Sequence, residues 1–248
     1  MPAPSELVEL REKTALVTGA SGGVGRAIAV RLAAEGVTVG LTGRSSERLE
    51  AAEAAANGVG PRSFSVVADL SNEEDVERLR SRLHATVEGL DVLVHCAGTI
   101  GHGPVHTAEV AELDRQYRAN LRGAYAVTQS LLPMLEARRG QVVFINSSAG
   151  LDAGPQSGAY AATKAGLKAI ADSLRGEVNE DGIRVLSVFL GRTATPMQET
   201  VCAYEGRPYK PEQLIQPADV AEMVISALRL PATAEVTEIR IRPAMKPS

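Results

Sequence analysis

Cysteine is scarce in this chain. Cys96 and Cys202 are the only two and form no C-x-x-C pair, so neither a disulfide framework nor a cysteine-built zinc site is spelled out. A reducing compartment fits that usage. Positive charge is not in excess either: 26 Lys+Arg stand against 30 Asp+Glu, a formal net charge of −4. No basic field is available to hold a phosphate backbone, which argues against nucleic acid as a partner. No window approaches 18 uninterrupted apolar residues, and Met1-Pro2-Ala3-Pro4-Ser5-Glu6 puts prolines and an acid where a signal peptide carries basic residues and an apolar run. The expectation is a cytoplasmic protein with no membrane partner. A metal site is not expected: His102 and His106 are spaced H-x-x-x-H near His95 and Cys96, but Pro104 and two glycines oppose a helix there and no acidic ligand lies in the run.

The composition that is present, 44% hydrophobic and 23% charged, is that of a globular chain with a sizeable core. No Pro/Ser-rich linker interrupts it, so residues 1–248 read as one domain. Short β-rich runs alternate with Ala/Leu-rich stretches, the order of an α/β fold. Strands are predicted at Thr14–Thr18, Val37–Thr42, Ser63–Ala68, Asp91–His95, Gln141–Asn146, Ile183–Leu190 and Val236–Arg242. Most are near-continuous aliphatic runs, as in a doubly wound, seven-stranded parallel sheet with helices on both faces. Helices are predicted at about Val24–Glu35, Ser46–Ala56, Glu73–Glu88, Ala108–Glu136, Ala159–Asn179 and Ala218–Leu228. The stretch Arg192–Gln216, with Pro196, Pro208 and Pro211, reads as irregular; a loop of that length is a lid, a subunit contact or a surface excursion.

After the first strand comes Thr18-Gly19-Ala20-Ser21-Gly22-Gly23-Val24-Gly25, followed at once by a helical pattern. A strand, a glycine turn and a helix in that order form a phosphate site. Gly19 permits the sharp turn, Gly23 lets backbone approach a pyrophosphate, and Gly25 lets the helix pack close to the sheet. The competing P-loop needs Gly-Lys-[Ser/Thr], and no Gly-Lys pair occurs in the chain.

The spacing Gly19-x-x-x-Gly23-x-Gly25 resembles the T-G-x-x-x-G-x-G of the short-chain dehydrogenase/reductase family. The resemblance runs through Asp69, His95-Cys96-Ala97-Gly98, Asn120, Ser147 and Tyr160-x-x-x-Lys164. It implies a single-domain Rossmann fold and a cofactor site that includes Ser21, Val24, Leu70, Ala97, Gly98, Gly191 and Thr193. NAD users of the family end the second strand with an acid for the ribose 2′-hydroxyl. Here Gly43 stands in that place, followed by Arg44, whose guanidinium suits a 2′-phosphate unless it merely solvates the loop. The implied cofactor is NADP(H). Asp69 would meet the adenine amino group by resemblance, although an acid at a strand end serves equally as a helix N-cap.

Tyr160 and Lys164 are four apart on a helix, so both can reach one ligand. The ammonium is expected to lower the phenol pKa from ~10 by ~1–3 units. By resemblance Lys164 also holds the nicotinamide ribose and Ser147 holds the substrate carbonyl oxygen. In the same family Asn120 kinks its helix and offers a backbone carbonyl to a water leading to the lysine. The implied reaction is hydride transfer between NADPH and a carbonyl or secondary alcohol, with Tyr160 as general acid or base and Leu151, Met197, Tyr204 and Tyr209 on the substrate side. Other readings are a catalytically silent NADP(H)-sensing regulator and, less favoured for want of an added C-terminal domain, a nucleotide-sugar epimerase. The resemblance further implies a homotetramer or homodimer through the helices of Ala108–Glu136 and Ala159–Asn179. Two departures stand out. His95-Cys96 replaces the usual Asn-Asn, removing amides that brace the central strands, and Leu190-Gly191 replaces the usual Pro-Gly. The ending Ile239-Arg240-Ile241-Arg242-Pro243 resembles family members that are not fatty-acid reductases.

Overall fold

The computed structural model describes residues 7–245. Seven strands, β1 Thr14–Thr18, β2 Thr38–Gly43, β3 Phe64–Val67, β4 Val92–His95, β5 Gln141–Ser147, β6 Arg184–Leu190 and β7 Glu238–Ile241, pair in the order 3-2-1-4-5-6-7. All six pairings are parallel. The sheet must therefore be covered twice, and its interior strands are buried almost throughout. On one face Ile28, Leu32, Leu49, Val220 and Val224 come from α1 (Gly23–Ala34), α2 (Ser46–Asn57) and α8 (Pro217–Leu228). On the other, Leu79, Leu83, Leu131, Leu135, Leu167 and Leu174 come from α3 (Glu73–Thr86), α5 (Gly123–Glu136) and α6 (Gly158–Val178). Each such side chain, fully withdrawn from water, contributes about 1.5–3 kcal/mol.

The strands run in one direction, so Thr18, Gly43, Val67, His95, Ser147 and Leu190 all finish at the same edge. Strand order reverses on either side of β1, and a crevice opens beyond the strand ends between β1 and β4, where ligands bind in open α/β sheets.

Two segments differ from expectation. The helix predicted over Ala108–Glu136 is α4 (Val110–Tyr117) and α5 joined by a π-helical turn, Arg118–Arg122. Asn120 at its centre is 1% exposed and bonded through its side chain to other elements, which widens the turn without ending the helix. The stretch Arg192–Gln216 is not irregular: it holds α7 (Pro196–Tyr204) and a 3-10 turn at Pro211–Gln213. Proline occupies the first helical position of α7, where its missing N–H is harmless, and the Thr195 hydroxyl accepts the Gln198 N–H at 3.2 Å. Pro196 and Pro211, from the stretch that reads as irregular, here begin helical turns.

Candidate active site

The glycine turn is built by exclusion. Gly19 has φ 66°, and a Cβ there would stand 2.7 Å from Ala97 N and Cα, so β1 and β4 can approach only with glycine at this point. A Cβ on Gly25 would meet the Gly19 carbonyl at 2.4 Å, which seats α1 against the turn. The helix begins with no side-chain cap and no acid in its first turn, leaving its N–H groups directed at the crevice.

A cleft of about 500 Å³ runs along the strand ends from this turn. Of the residues expected to hold cofactor, Gly19, Ser21, Gly23, Val24, Arg44, Asp69, Leu70, Ala97, Gly98, Gly191 and Thr193 line it. Gly25 lies beneath and does not. Arg44 makes no ion pair among the described residues, and Arg48, four residues on, lines the same end. Sequence reading missed Arg48. The signal available was a second arginine in the first turn of α2, but only the fold shows that it faces the cleft. Gly43 is tight: a Cβ would come 3.0 Å from Ser21 Oγ. Asp69 does not cap α3; Asn72 does, while Asp69 Oδ1 accepts from Ser71 N at 3.0 Å and Ser71 Oγ at 2.7 Å. Its Oδ2 is left free for a donor from the cleft.

Ser147, Tyr160 and Lys164 converge on the middle of this cleft. Ser147 ends β5, where the strand turns into a 3-10 segment; its Oγ accepts the Ala149 N–H at 3.2 Å, and the hydroxyl acts to lower the pKa of the Tyr160 phenol. Lys164 is 6% exposed and donates to the Ile145 carbonyl at 3.1 Å, and Asn146 Nδ2 donates to the Lys164 carbonyl at 3.1 Å. Strand β5 and helix α6 are thereby locked in register. Burial lowers the Lys164 pKa to about 8. The expected depression of the Tyr160 pKa is not found. Burial pushes it above the usual value, with the Ser147 side chain opposing, and Lys164 Nζ lies 5.9 Å from the ring centroid. Desolvation of the phenolate outweighs a cation that is itself withdrawn toward a backbone carbonyl.

Asn120 reaches the same centre from the π-helical turn. Its Oδ1 accepts the Thr99 N–H at 2.7 Å, and its Nδ2 donates to the Thr99 carbonyl at 2.9 Å and to Thr163 Oγ1 at 3.0 Å. Thr163, 2% exposed, donates in turn to the Tyr160 carbonyl at 2.8 Å. A Cβ on Gly98 would press on Asn120 Oδ1 at 3.2 Å and stand 3.9 Å from Lys164 Nζ, so glycine keeps that space open. Thr163 is a second residue that sequence reading passed over, because only the fold opposes α6 to the turn at Asn120.

The substrate-side set is divided. Met197 lines the cleft with Val201 and Ile100, whereas Leu151, Tyr204 and Tyr209 do not. Tyr204 stacks instead on His102, which does line it. His95 and Cys96, in the place of paired amides, are tied differently. His95 bonds Thr128, and the backbone N–H groups of Cys96 and Ala97 both donate to Thr18 Oγ1, at 3.0 and 3.1 Å. Burial raises the Cys96 thiol to about 12, so it stays neutral. Among the described residues no cluster of His, Cys, Asp and Glu is arranged to hold a metal, and no helix is long and apolar enough to cross a membrane.

Comparison with known proteins agrees with this geometry. A family model described as short chain dehydrogenase matches residues 13–205. An uncharacterized oxidoreductase of Staphylococcus aureus is 35% identical over 236 residues, covering 94% of this chain and 98% of the relative. Among solved structures, an alcohol dehydrogenase from the archaeon Thermococcus sibiricus, complexed with 5-hydroxy-NADP, superposes with a TM-score of 0.86 at 28% identity, covering 96% of this chain and all of that one. A variant of actinorhodin polyketide ketoreductase with NADPH gives a TM-score of 0.86 at 27% identity, covering 93% and 95%.

Proposed function

Because the chain belongs to the short chain dehydrogenase family, a family of oxidoreductases, we propose that it uses NADP(H) to interconvert a carbonyl compound and a secondary alcohol, with Tyr160 as general acid and base. The observation that carries this reading is the convergence of Ser147, Tyr160 and Lys164 on one cleft whose far end holds two arginines without an ion pair among the described residues. The residues present fit such a cofactor: the glycine cradle admits backbone but no Cβ, Arg44 and Arg48 suit a 2′-phosphate, and Asp69 Oδ2 suits an adenine amino group. When bound, the nicotinamide supplies or accepts the hydride.

The chain's own part is proton transfer and positioning. Ser147, which lines the cleft together with Tyr160, holds the substrate oxygen beside the phenol and stabilises charge that develops there. Tyr160 delivers its proton to that oxygen in reduction and, as tyrosinate, withdraws it in oxidation. Lys164, an ammonium below pH about 8, favours the phenolate once a ligand closes the cleft and donates to a ribose hydroxyl. Asn120 directs its backbone carbonyl toward a water that refills the proton supply through Lys164. Residues 192–216, with Met197 on the inner face of α7, act as the substrate lid.

The exposed stripe Val110, Leu113, Tyr117 and Tyr125 along α4 and α5 is the face on which a second copy would pack as a dimer or tetramer. Sedimentation of wild type against Tyr117→Asp reads the change in mass. The decisive test of function is NADPH oxidation over a ketone and aldehyde panel, with Tyr160→Phe as the control. Turnover by wild type alone supports the reading, and equal rates in both proteins refute it.

A further inference from the structure

Three chain segments that are remote in sequence meet at the substrate end of the cleft. His102, from the loop after β4, stacks on Tyr204 at the end of α7 with ring centroids 4.9 Å apart and planes at 18°. The Tyr204 hydroxyl donates to Gln156 Oε1 at 2.9 Å, in the loop before α6, and the Gly103 N–H donates to the Gln156 carbonyl at 2.9 Å. The three contacts close a ring of loop, helix and loop. Gln156 holds φ 64°, a left-handed conformation that costs a side-chain-bearing residue free energy, and its two bonds across the ring oppose that cost. Met197 and Val201, on the same helix as Tyr204, face into the cleft beside Ile100 and His102. Whatever fixes Tyr204 therefore fixes the wall that a substrate touches.

The charges at this end cancel. Arg192 and Glu205 both line the cleft, and they pair with each other at 2.7 Å. The cations without a carboxylate partner among the cleft-lining residues are Arg44 and Arg48 at the opposite end and Lys164 at the centre. Among the described residues lining this end, no lysine or arginine is left near Met197 and Val201 without a carboxylate partner, and the polar atom left over is the unpartnered His102 Nε2, which suits a neutral carbonyl or hydroxyl.

We propose that His102, Tyr204 and Gln156 form a clasp that holds α7 over the cleft and restricts the enzyme to compact, uncharged ketones and the corresponding secondary alcohols. The proposal rests on the oxidoreductase reading above. His102 touches substrate directly; Tyr204 and Gln156 are positioning residues that act through His102, Met197 and Val201.

Three ketones test it, each with NADPH: cyclohexanone as the compact neutral probe, 4-phenylcyclohexanone as the bulky one and 4-oxopentanoate as the charged one. Wild type should show its highest kcat/KM on cyclohexanone. Tyr204→Ala should raise the ratio of 4-phenylcyclohexanone to cyclohexanone by about tenfold, the scale on which a pocket wall discriminates apolar groups. Taking a ratio on one preparation removes any effect of a partly folded variant. Tyr204→Phe keeps the stack and loses only the bond to Gln156. Gln156→Asn keeps a residue suited to the left-handed backbone but cannot reach Tyr204. Both should shift the ratio in the same direction by less, and the double variant should add little to either. Hydrogen exchange across α7 should quicken in all of these, which a residue that merely filled space in the cleft would not cause. An unchanged ratio in active Tyr204→Ala protein, or a wild-type preference for the bulky or charged ketone, overturns the clasp. Absence of turnover on all three ketones in protein that turns over another member of the ketone and aldehyde panel overturns the specificity assignment alone; absence of turnover across that whole panel with either nicotinamide cofactor overturns the carbonyl-reductase reading, and the specificity assignment falls with it.

Discussion

His95 makes the fold acid-sensitive by an amount that can be worked from its surroundings. The ring is 3% exposed, stacked on Phe144 at 4.8 Å, with Nε2 2.8 Å from Thr128 Oγ1. The Thr128 hydroxyl already donates to the Ala124 carbonyl at 2.9 Å, so it accepts from His95, and Nε2 carries the proton. Nδ1 is buried with no partner. Charging the ring would place an N–H where nothing accepts it and where water cannot follow, and burial accordingly lowers the pKa from 6.5 to about 3. The unfolded chain therefore takes up a proton that the folded chain refuses, and stability falls as pH drops below about 6.5. The gap corresponds to about 5 kcal/mol once pH passes below both values, and to about 2 kcal/mol at pH 5. Carboxylates titrate over the same range, so the quantity to read is a difference. Urea unfolding of wild type and His95→Gln, at equal protein concentration, should show wild type losing about 2 kcal/mol more between pH 7.5 and pH 5. The glutamine amide nitrogen takes the place of Nε2 and can still donate to Thr128, but it cannot titrate. Parallel pH profiles would show that His95 is hydrated or partnered in solution and would refute the argument.

Arg44→Asp should weaken NADPH binding by roughly 10- to 150-fold, the equivalent of losing about 1.5–3 kcal/mol of charge-assisted contact, while NADH is affected far less; calorimetric titration of both cofactors checks it, and an unchanged affinity ratio refutes it. Tyr160→Phe should abolish carbonyl reduction with NADPH affinity retained, whereas Lys164→Ala should damage both. With the Lys164 pKa lowered to about 8, the ammonium discharges as pH rises from 7 to 9, so wild-type NADPH affinity should decline over that range relative to Lys164→Met; a constant ratio between the two counts against the lysine contact. Thr163→Val should lower kcat and displace its pH profile with little change in KM, and Thr163→Ser should restore both, because only the serine keeps the hydroxyl that joins Asn120 to α6.

What the sequence determined by itself is what depends on spacing along one chain segment. Aliphatic runs between helical patterns are enough for a doubly wound parallel sheet, because a strand covered on both faces has no polar side to present. The glycines at 19, 23 and 25 are legible because a turn that must admit backbone tolerates no Cβ, and Tyr160 and Lys164 because four residues bring two side chains to one helix face. Other features depend on which segments pack together, and these only the tertiary structure decided. Arg48 joins Arg44 because α2 lies along the cleft, and Thr163 meets Asn120 because α6 crosses the π-helical turn. Tyr204 stacks on His102, about a hundred residues away in the chain, because α7 forms in a stretch that reads as irregular. The phenol of Tyr160 is the sharpest case. Its neighbour four residues on is a lysine in any reading, but whether that cation or the loss of water governs its proton depends on burial, and no local spacing encodes burial.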